Sequence, residues 1–439
     1  MAVTLSVANP LASRRWRRII PIAFITYSLA YLDRSNYSLG AAGGLKEDLG
    51  ITAGIAGLLG ALFFLGYFLF QIPAAHYAEH RSVKRLIFWS LIAWGVFATA
   101  QGVIGWVWLL MVDRFLLGVV EAAVIPAMLI FLAHWFTRQE RGRANTFLIL
   151  GNPVTVLWMS AISGYLIAAT SWRWMFILEG LPAIAWAFVF RAMVTDHPGQ
   201  ADWLEEREKQ EIGRALEREQ REIPPVSSYR EAFRSRNVVV LGIQYLLWSL
   251  GVYGFIFWLP SILKAASNHG IGVIGLLSAV PYLLAAILMV VTSHFSDRSG
   301  RRRAFVWPPL LAAAVAFYVS YLLGTDSFWP AYVLLVLAGG LMYAPYGPYF
   351  ALIPELLPRN VAGAAIALVN SMGALGGFAG AYLVGWLNGA TGGPGASFLL
   401  MTVALALSAI LMAWVRSARP VPAAAGPAPV GRPDGQLSG

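Results

Sequence analysis

Twelve apolar runs of about 20 residues recur from one end of this 439-residue chain to the other. They lie near 18–42, 52–77, 84–105, 107–135, 144–169, 174–194, 237–264, 271–294, 303–324, 328–353, 360–388 and 396–417. Each is long enough to cross a bilayer as a helix, and within lipid every backbone polar group has to be satisfied inside the segment. The runs do not alternate every second residue, which excludes a barrel of short amphipathic strands. Hydrophobic residues make up 58% of the chain and charged residues 12%, a balance outside that of soluble domains. The fold class expected is an all-α integral membrane protein of twelve spans.

The polar residues divide the chain. A stretch of mixed charge, 195–236, separates six runs from six. The expected organisation is an N-tail (1–17), a six-helix bundle (18–194), a central loop (195–236), a second six-helix bundle (237–418) and a disordered Pro/Ala/Gly-rich tail (419–439). Lys and Arg collect in the N-tail (14–18), the 2–3 loop (81–85), the 4–5 loop (138–143), the central loop, the 8–9 loop (298–303) and the C-tail. Lys46, Arg173 and Lys264 are the exceptions on the other side. This is the positive-inside pattern, and it puts both termini in the cytoplasm. The net charge of +10 is therefore a topology signal, not a nucleic-acid footprint.

Several classes fall away. There is no cysteine, and the six histidines have no ligand-like spacing, so neither thiol chemistry nor a metal site is expected. No phosphate-binding G-x-x-x-x-G-K-[ST] occurs, so ATP is not expected as a partner. No nucleophile–base pair suggests an enzyme, and no cofactor is called for.

Four of the ionisable residues inside the runs stand out: Asp33, Arg34, Arg114 and Glu121. A charge at the centre of a spanning helix costs roughly 2.5–3.5 kcal/mol on insertion scales. Such residues face a partner or a wet cavity and mark a path for ions or substrate. Asp33 and Arg34 are adjacent, hence about 100° apart on their helix, one toward a neighbouring helix and one toward the centre. Arg114 and Glu121 are seven apart, about two turns along one face, able to reach each other or a shared partner on the first helix. Guanidinium binds carboxylate bidentately, so an arginine within a span could hold an anion. An acid near an arginine can switch between holding and releasing a proton as the two approach or part. That assigns proton coupling to Asp33 and Glu121, with Arg114 as the modulating cation.

Further candidates are neutral. Tyr67, followed by Gln71, lies on the second run, and Asn152 lies beside Pro153 on the fifth. In the second half Tyr253, Tyr346, Asn370 and Ser371 are the hydrogen-bonding candidates, since no ionisable residue is deep in a span there. Glu179 is read as part of a network in the cytoplasmic half.

The two halves carry matching loops. AHYAEHRSVKR (75–85) and SHFSDRSGRRR (293–303) each follow the second span of their half. The second copy resembles the major facilitator signature G-x-x-x-D-R-x-G-R-R/K, with Ser293 for the first Gly and Asp297, Arg298, Gly300 and Arg301 in register. In the first copy Glu79, Lys84 and Arg85 preserve the charge logic while Ala75, His80 and Ser82 depart from it. YLDRSNYSLG (31–40), FQIPAA (70–75), DRFLLGVVEAAVIPAM (113–128), FILEGLPA (176–183), VYGFIFWLP (252–260) and YGPYFALIPELLP (346–358) resemble the anion:cation symporter family within that superfamily, over about 15–420. The resemblance implies two pseudo-symmetric six-helix bundles and proton-coupled uptake of a small organic anion, such as a sugar acid, across the bacterial inner membrane. It also implies a monomer with substrate contacts at Arg34 and Asn370 and a proton carrier at Asp33. Two other readings remain: an efflux antiporter on the same fold, although the fifth run lacks G-x-x-x-G-P-x-x-G, and a membrane sensor that binds without transporting.

Overall fold

The structure, a computed structural model, describes residues 14–221, 236–267, 269–324, 327–356 and 362–415. The expected disordered tail (419–439), most of the N-tail and part of the central loop lie outside the described residues.

Among the described residues, twelve long helical stretches appear where the apolar runs stand. In the first half they are α1 (Arg14–Gly40), α2 (Ala53–His80), α3 (Val83–Ala100), α4 (Val107–Trp135), α5 (Arg138–Ala169) and α6 (Trp172–Met193). In the second they are α7 (Arg236–Ala266), α8 (Ile271–Ser299), α9 (Trp307–Leu323), α10 (segments Phe328–Tyr343 and Tyr346–Leu356), α11 (Ala362–Thr391) and α12 (Gly395–Trp414). Eleven of the twelve are long and apolar enough to cross a membrane by composition alone. The first, α1, has 27 residues but carries Asp33, Arg34 and Asn36, and these lower its hydropathy. Its charges are buried within the protein instead of facing lipid, which is how a polar helix is accommodated in a bundle. A separate helix, Glu206–Arg221, follows α6 and is strongly polar.

Two helices break at the same register. The first segment of α4 ends at Glu121 and the second begins at Val124. The first segment of α10 ends at Tyr343 and the second begins at Tyr346. A proline follows five residues after the last residue of each first segment, Pro126 and Pro348. A proline lacks an N–H and frees the carbonyl four residues earlier, here Ala122 and Ala344. The ladder resumes identically, Ala127 N donating to Ala123 O at 3.0 Å and Tyr349 N to Pro345 O at 2.8 Å. Glu121 and Tyr343 are thus structural counterparts in the two halves.

The halves meet along α2–α11, α5–α8 and α1–α7. At Gly164 of α5 an added Cβ would sit 2.9 Å from Gly275 Cα and 2.9 Å from Ile271 O of α8. Close backbone approach of this kind is the usual role of small residues between membrane helices. Lys264 Nζ at the end of α7 donates to Ala42 O just past α1 at 2.6 Å, tying the halves together at the end farthest from the first residue of α1.

Candidate functional site

Arg34 and Glu121 form a buried ion pair between α1 and α4. Arg34 Nε donates to Glu121 Oε1 at 3.1 Å, and a terminal nitrogen of the same guanidinium donates to the same oxygen. Glu121 Oε2 is buried with no partner. Glu121 is fully buried and Arg34 is 5% exposed. The guanidinium carbon lies 4.7 Å from the Tyr67 ring centre, 5.2 Å from Phe63 and 5.3 Å from Tyr31. This aromatic wall takes the place of the hydration shell that the cation leaves behind. Across the interface, Arg34 also reaches the Tyr253 hydroxyl of α7 at 3.5 Å.

The second arginine is held differently. Arg114 Nε donates to Leu59 O at 3.3 Å and a terminal nitrogen to Gln101 Oε1 at 3.4 Å. Its guanidinium lies 4.6 Å from the Tyr37 ring centre and 5.3 Å from Phe63. Both guanidinium groups therefore pack against Phe63, each about 5 Å from its ring centre. Of the options left open by the seven-residue spacing, Glu121 takes its partner from α1 and Arg114 rests on neutral groups. The side chain at 114 points toward Tyr37, one turn beyond Arg34 on α1, and Glu121 points at Arg34 itself.

Asp33 and Arg34 do project to different neighbours. Asp33 accepts from Trp94 Nε1 of α3, while its Oδ1 is buried without a partner. One turn on, Asn36 Nδ2 donates to Glu179 Oε2 at 3.0 Å, and Ser163 Oγ donates to Glu179 Oε1 at 2.5 Å. This joins α1, α5 and α6. Glu179 was expected to be part of a network, and these bonds make it one. Glu179 lies seven residues from the α6 start, beside the ends of α1 and α5, away from the end where α1 begins.

The neutral candidates are brought together in part. Tyr67 is against Arg34, and Gln71 one turn along α2 accepts from Ser371 Oγ of α11 at 3.1 Å. Tyr253 packs its ring 4.6 Å from Phe64 of α2. Tyr346 stacks on Tyr343 at 5.4 Å and packs at a tilt against Trp248 at 4.6 Å. Asn152 is buried on α5 with its Oδ1 unpartnered. Asn370 is half-buried beside Ser371 on α11. Sequence reasoning missed Tyr343, whose hydroxyl meets that of Tyr31 on α1 at 3.5 Å. The signal was available in the matching spacings Glu121…Pro126 and Tyr343…Pro348. Trp94, the partner of Asp33, carried no such signal among seventeen tryptophans.

The two signature loops are built differently. In the 8–9 loop Asp297 pairs with Arg302, and Gly300 ends α8 with a φ of 66°. Only glycine adopts that left-handed cap freely, which explains its place in the motif. Arg302, not Arg298 or Arg301, meets the acid. In the 2–3 loop Arg81 caps α2 with negative φ, so no glycine is required and Ser82 serves. The acid holding this loop is Asp196 beyond α6, not Glu79. It accepts from Ser82 Oγ at 2.6 Å and from Lys84 N at 2.8 Å, capping the start of α3, while Arg85 N donates to Ser82 Oγ.

The comparisons agree with this architecture. Residues 23–381 and 262–435 match the profile of the Major Facilitator Superfamily. The chain belongs to the major facilitator superfamily. A protein of Agrobacterium vitis, named provisionally as a tartrate transporter, is 30% identical over 416 residues, 92% of each chain. A quinolone resistance transporter of Acinetobacter baumannii is 28% identical over 403 residues, 90% of this chain and 92% of its own. Among solved structures, a bacterial homologue of the human lysosomal transporter Spinster, inward-facing and occupied, aligns with a TM-score of 0.72. It is 17% identical and covers 92% of this chain and 97% of that one. This superfamily member is therefore a multi-pass membrane transporter for a small molecule and not an enzyme.

Proposed function

We propose that the chain is a proton-coupled symporter that takes up a small organic anion, a sugar acid or similar carboxylate, across the bacterial inner membrane. The carrying observation is the Arg34–Glu121 pair, a buried cation held by one oxygen of one titratable acid. In a low-dielectric site one cation is best balanced by one anion. Arg34 therefore has two claimants, the Glu121 carboxylate and the carboxylate of a substrate. A proton placed on Glu121 weakens its hold and frees Arg34 for the incoming anion. Loss of that proton on the far side lets Glu121 reclaim Arg34 and displace the substrate. Anion and proton then move together by competition for one guanidinium.

In this reading Tyr67, Tyr253 and Tyr346, with Ser371, Asn370 and Asn152, contact the hydroxyls or ring of the substrate. Asp33 is a second proton carrier and Arg114 tunes the field that both acids feel. The bundles 18–194 and 237–418 rock about α2–α11 and α5–α8, with both termini cytoplasmic and the monomer as the working unit. The provisional tartrate name of the Agrobacterium relative supports a carboxylate cargo.

The test is uptake by proteoliposomes offered labelled tartrate, galactarate, galactonate and benzoate under an inward proton gradient. The reading expects one acid to accumulate only with the gradient. Arg34→Ala should abolish its binding, and Glu121→Gln should retain exchange without accumulation. Substrate driven outward by inward protons would replace it with the antiporter reading, and tight binding with no flux would replace it with the sensor reading.

A further inference from the structure

A groove of about 650 Å³ runs up the outside of the bundle where α1 begins and α6 ends. Arg14, Arg17 and Arg18 line its lower end, and Pro21, Ile22, Ile25, Trp186 and Met193 line the rest. Trp203, from the segment after α6, closes the base and stacks on Trp135 with ring centres 5.4 Å apart. The Arg18 guanidinium lies 4.9 Å from the Trp203 ring centre. Two donors in this wall, Arg18 Nε and Trp203 Nε1, are buried without an acceptor. Buried donors left unmet are costly, so an acceptor supplied by a ligand is favoured there.

We infer that this groove is a binding site for one anionic phospholipid. The phosphate would lie among Arg14, Arg17 and Arg18, and an acyl chain would run along Ile22, Ile25 and Met193. From Arg14 to Ile25 is 11 residues of helix, about 16 Å, room for a headgroup followed by the first part of an acyl chain and more than a small soluble anion fills. Ile25 and Met193 are each 36% exposed, on the face that meets the bilayer. Basic pockets of this kind at the cytoplasmic ends of membrane helices suit acidic headgroups. Free inorganic phosphate shares the headgroup chemistry but would leave the apolar wall uncovered. The inference concerns the lipid-facing surface and does not depend on what the central site carries.

The experiment is native mass spectrometry of the purified full chain, titrated with phosphatidylglycerol, phosphatidylethanolamine or inorganic phosphate. One phosphatidylglycerol per chain should bind, and the double variant Arg14→Gln/Arg18→Gln should weaken it about tenfold or more. Lys84→Gln/Arg85→Gln removes the same charge from another loop of the same side and should leave binding unchanged. Should the first variant fail to purify, Met193→Trp, which fills the groove without altering charge, is read in its place. Equal affinity for phosphatidylethanolamine, equal loss in the Lys84/Arg85 variant, or full competition by millimolar phosphate would each overturn the assignment.

Discussion

Arg34 gives two hydrogen bonds to Glu121, and both end on the same oxygen, so Oε2 stays buried and idle. A fork-to-fork pair would have used both oxygens. The arrangement leaves one carboxylate oxygen able to take a proton without first breaking the contact on the other. It also leaves the remaining guanidinium edge aimed at Tyr253 in the opposite half.

Removing the cation separates structure from function. Arg34→Ala strands a buried carboxylate, a loss of about 3–5 kcal/mol while Glu121 stays charged. The expected result is a lower thermal midpoint that recovers partly as pH falls, because a protonated Glu121 needs no cation. Adding Glu121→Gln should restore the midpoint at neutral pH. Anion binding should stay absent in both variants, since neither has a guanidinium at 34. Thermal unfolding followed by tryptophan fluorescence, with equilibrium binding of the transported acid, checks both halves of this expectation.

Glu121→Gln alone keeps the shape and removes the titration. Exchange of labelled for unlabelled acid should persist and become flat between pH 5.5 and 8. In the parent protein exchange should slow as pH rises on both sides, because the anion needs a protonated Glu121 to gain Arg34. Retained pH dependence in the variant would pass the coupling role to Asp33.

Tyr253 offers a smaller and more discriminating effect. Its hydroxyl is 3.5 Å from Arg34, at the long limit of a hydrogen bond. A hydrogen bond from a charged donor contributes about 1.5–3 kcal/mol at ordinary length, and one stretched this far falls well below that range. Tyr253→Phe should therefore raise KM for uptake only about two- to threefold and leave the maximal rate intact. A loss above tenfold would mean that the hydroxyl binds substrate directly, which initial-rate measurements resolve.

How much of this was legible beforehand follows from the kind of signal involved. Helix number and position could be read from apolar runs, because lipid imposes length and composition together. The buried charges could be read as a set, because charge inside such runs is rare. Their pairing could not. A seven-residue spacing brings Arg114 and Glu121 to one face of a straight helix, but which neighbour each side chain meets depends on helices far away in the chain. Phe63 of α2 packs against both arginines, and nothing at positions 59–67 announces it. The 2–3 loop hid its acid for the same reason: Asp196 is more than a hundred residues from Ser82 and meets it only once α3 and α6 pack.

Glu179 also makes a stability prediction. Its two oxygens satisfy Asn36 and Ser163, and it is almost fully buried. Glu179→Gln keeps an acceptor and a side chain of the same shape, so the thermal midpoint should barely move. Glu179→Leu leaves the Asn36 amide and the Ser163 hydroxyl facing an apolar group, a cost of about 1–3 kcal/mol for each buried orphan. The Leu variant should be markedly less stable, and adding Ser163→Ala should recover part of the loss. Equal midpoints for Gln and Leu would show that water reaches this cluster.

The α5–α8 contact supplies the last test, because it limits how the halves can move. Any side chain at Gly164 meets the backbone of Ile271 and Gly275, neither of which can rotate away. Gly164→Val should therefore force α5 from α8 at the end where Lys264 bridges to Ala42, and hold that end open. The expected outcome is a variant that folds and binds the acid from that side, with uptake reduced at least tenfold. Cysteines introduced at Ala42 and Lys264 provide the readout, since the chain has no cysteine of its own. Both should react faster with a water-soluble maleimide in the Val variant than in the parent. Unchanged reactivity together with lost uptake would show that the contact transmits movement without setting which end is closed.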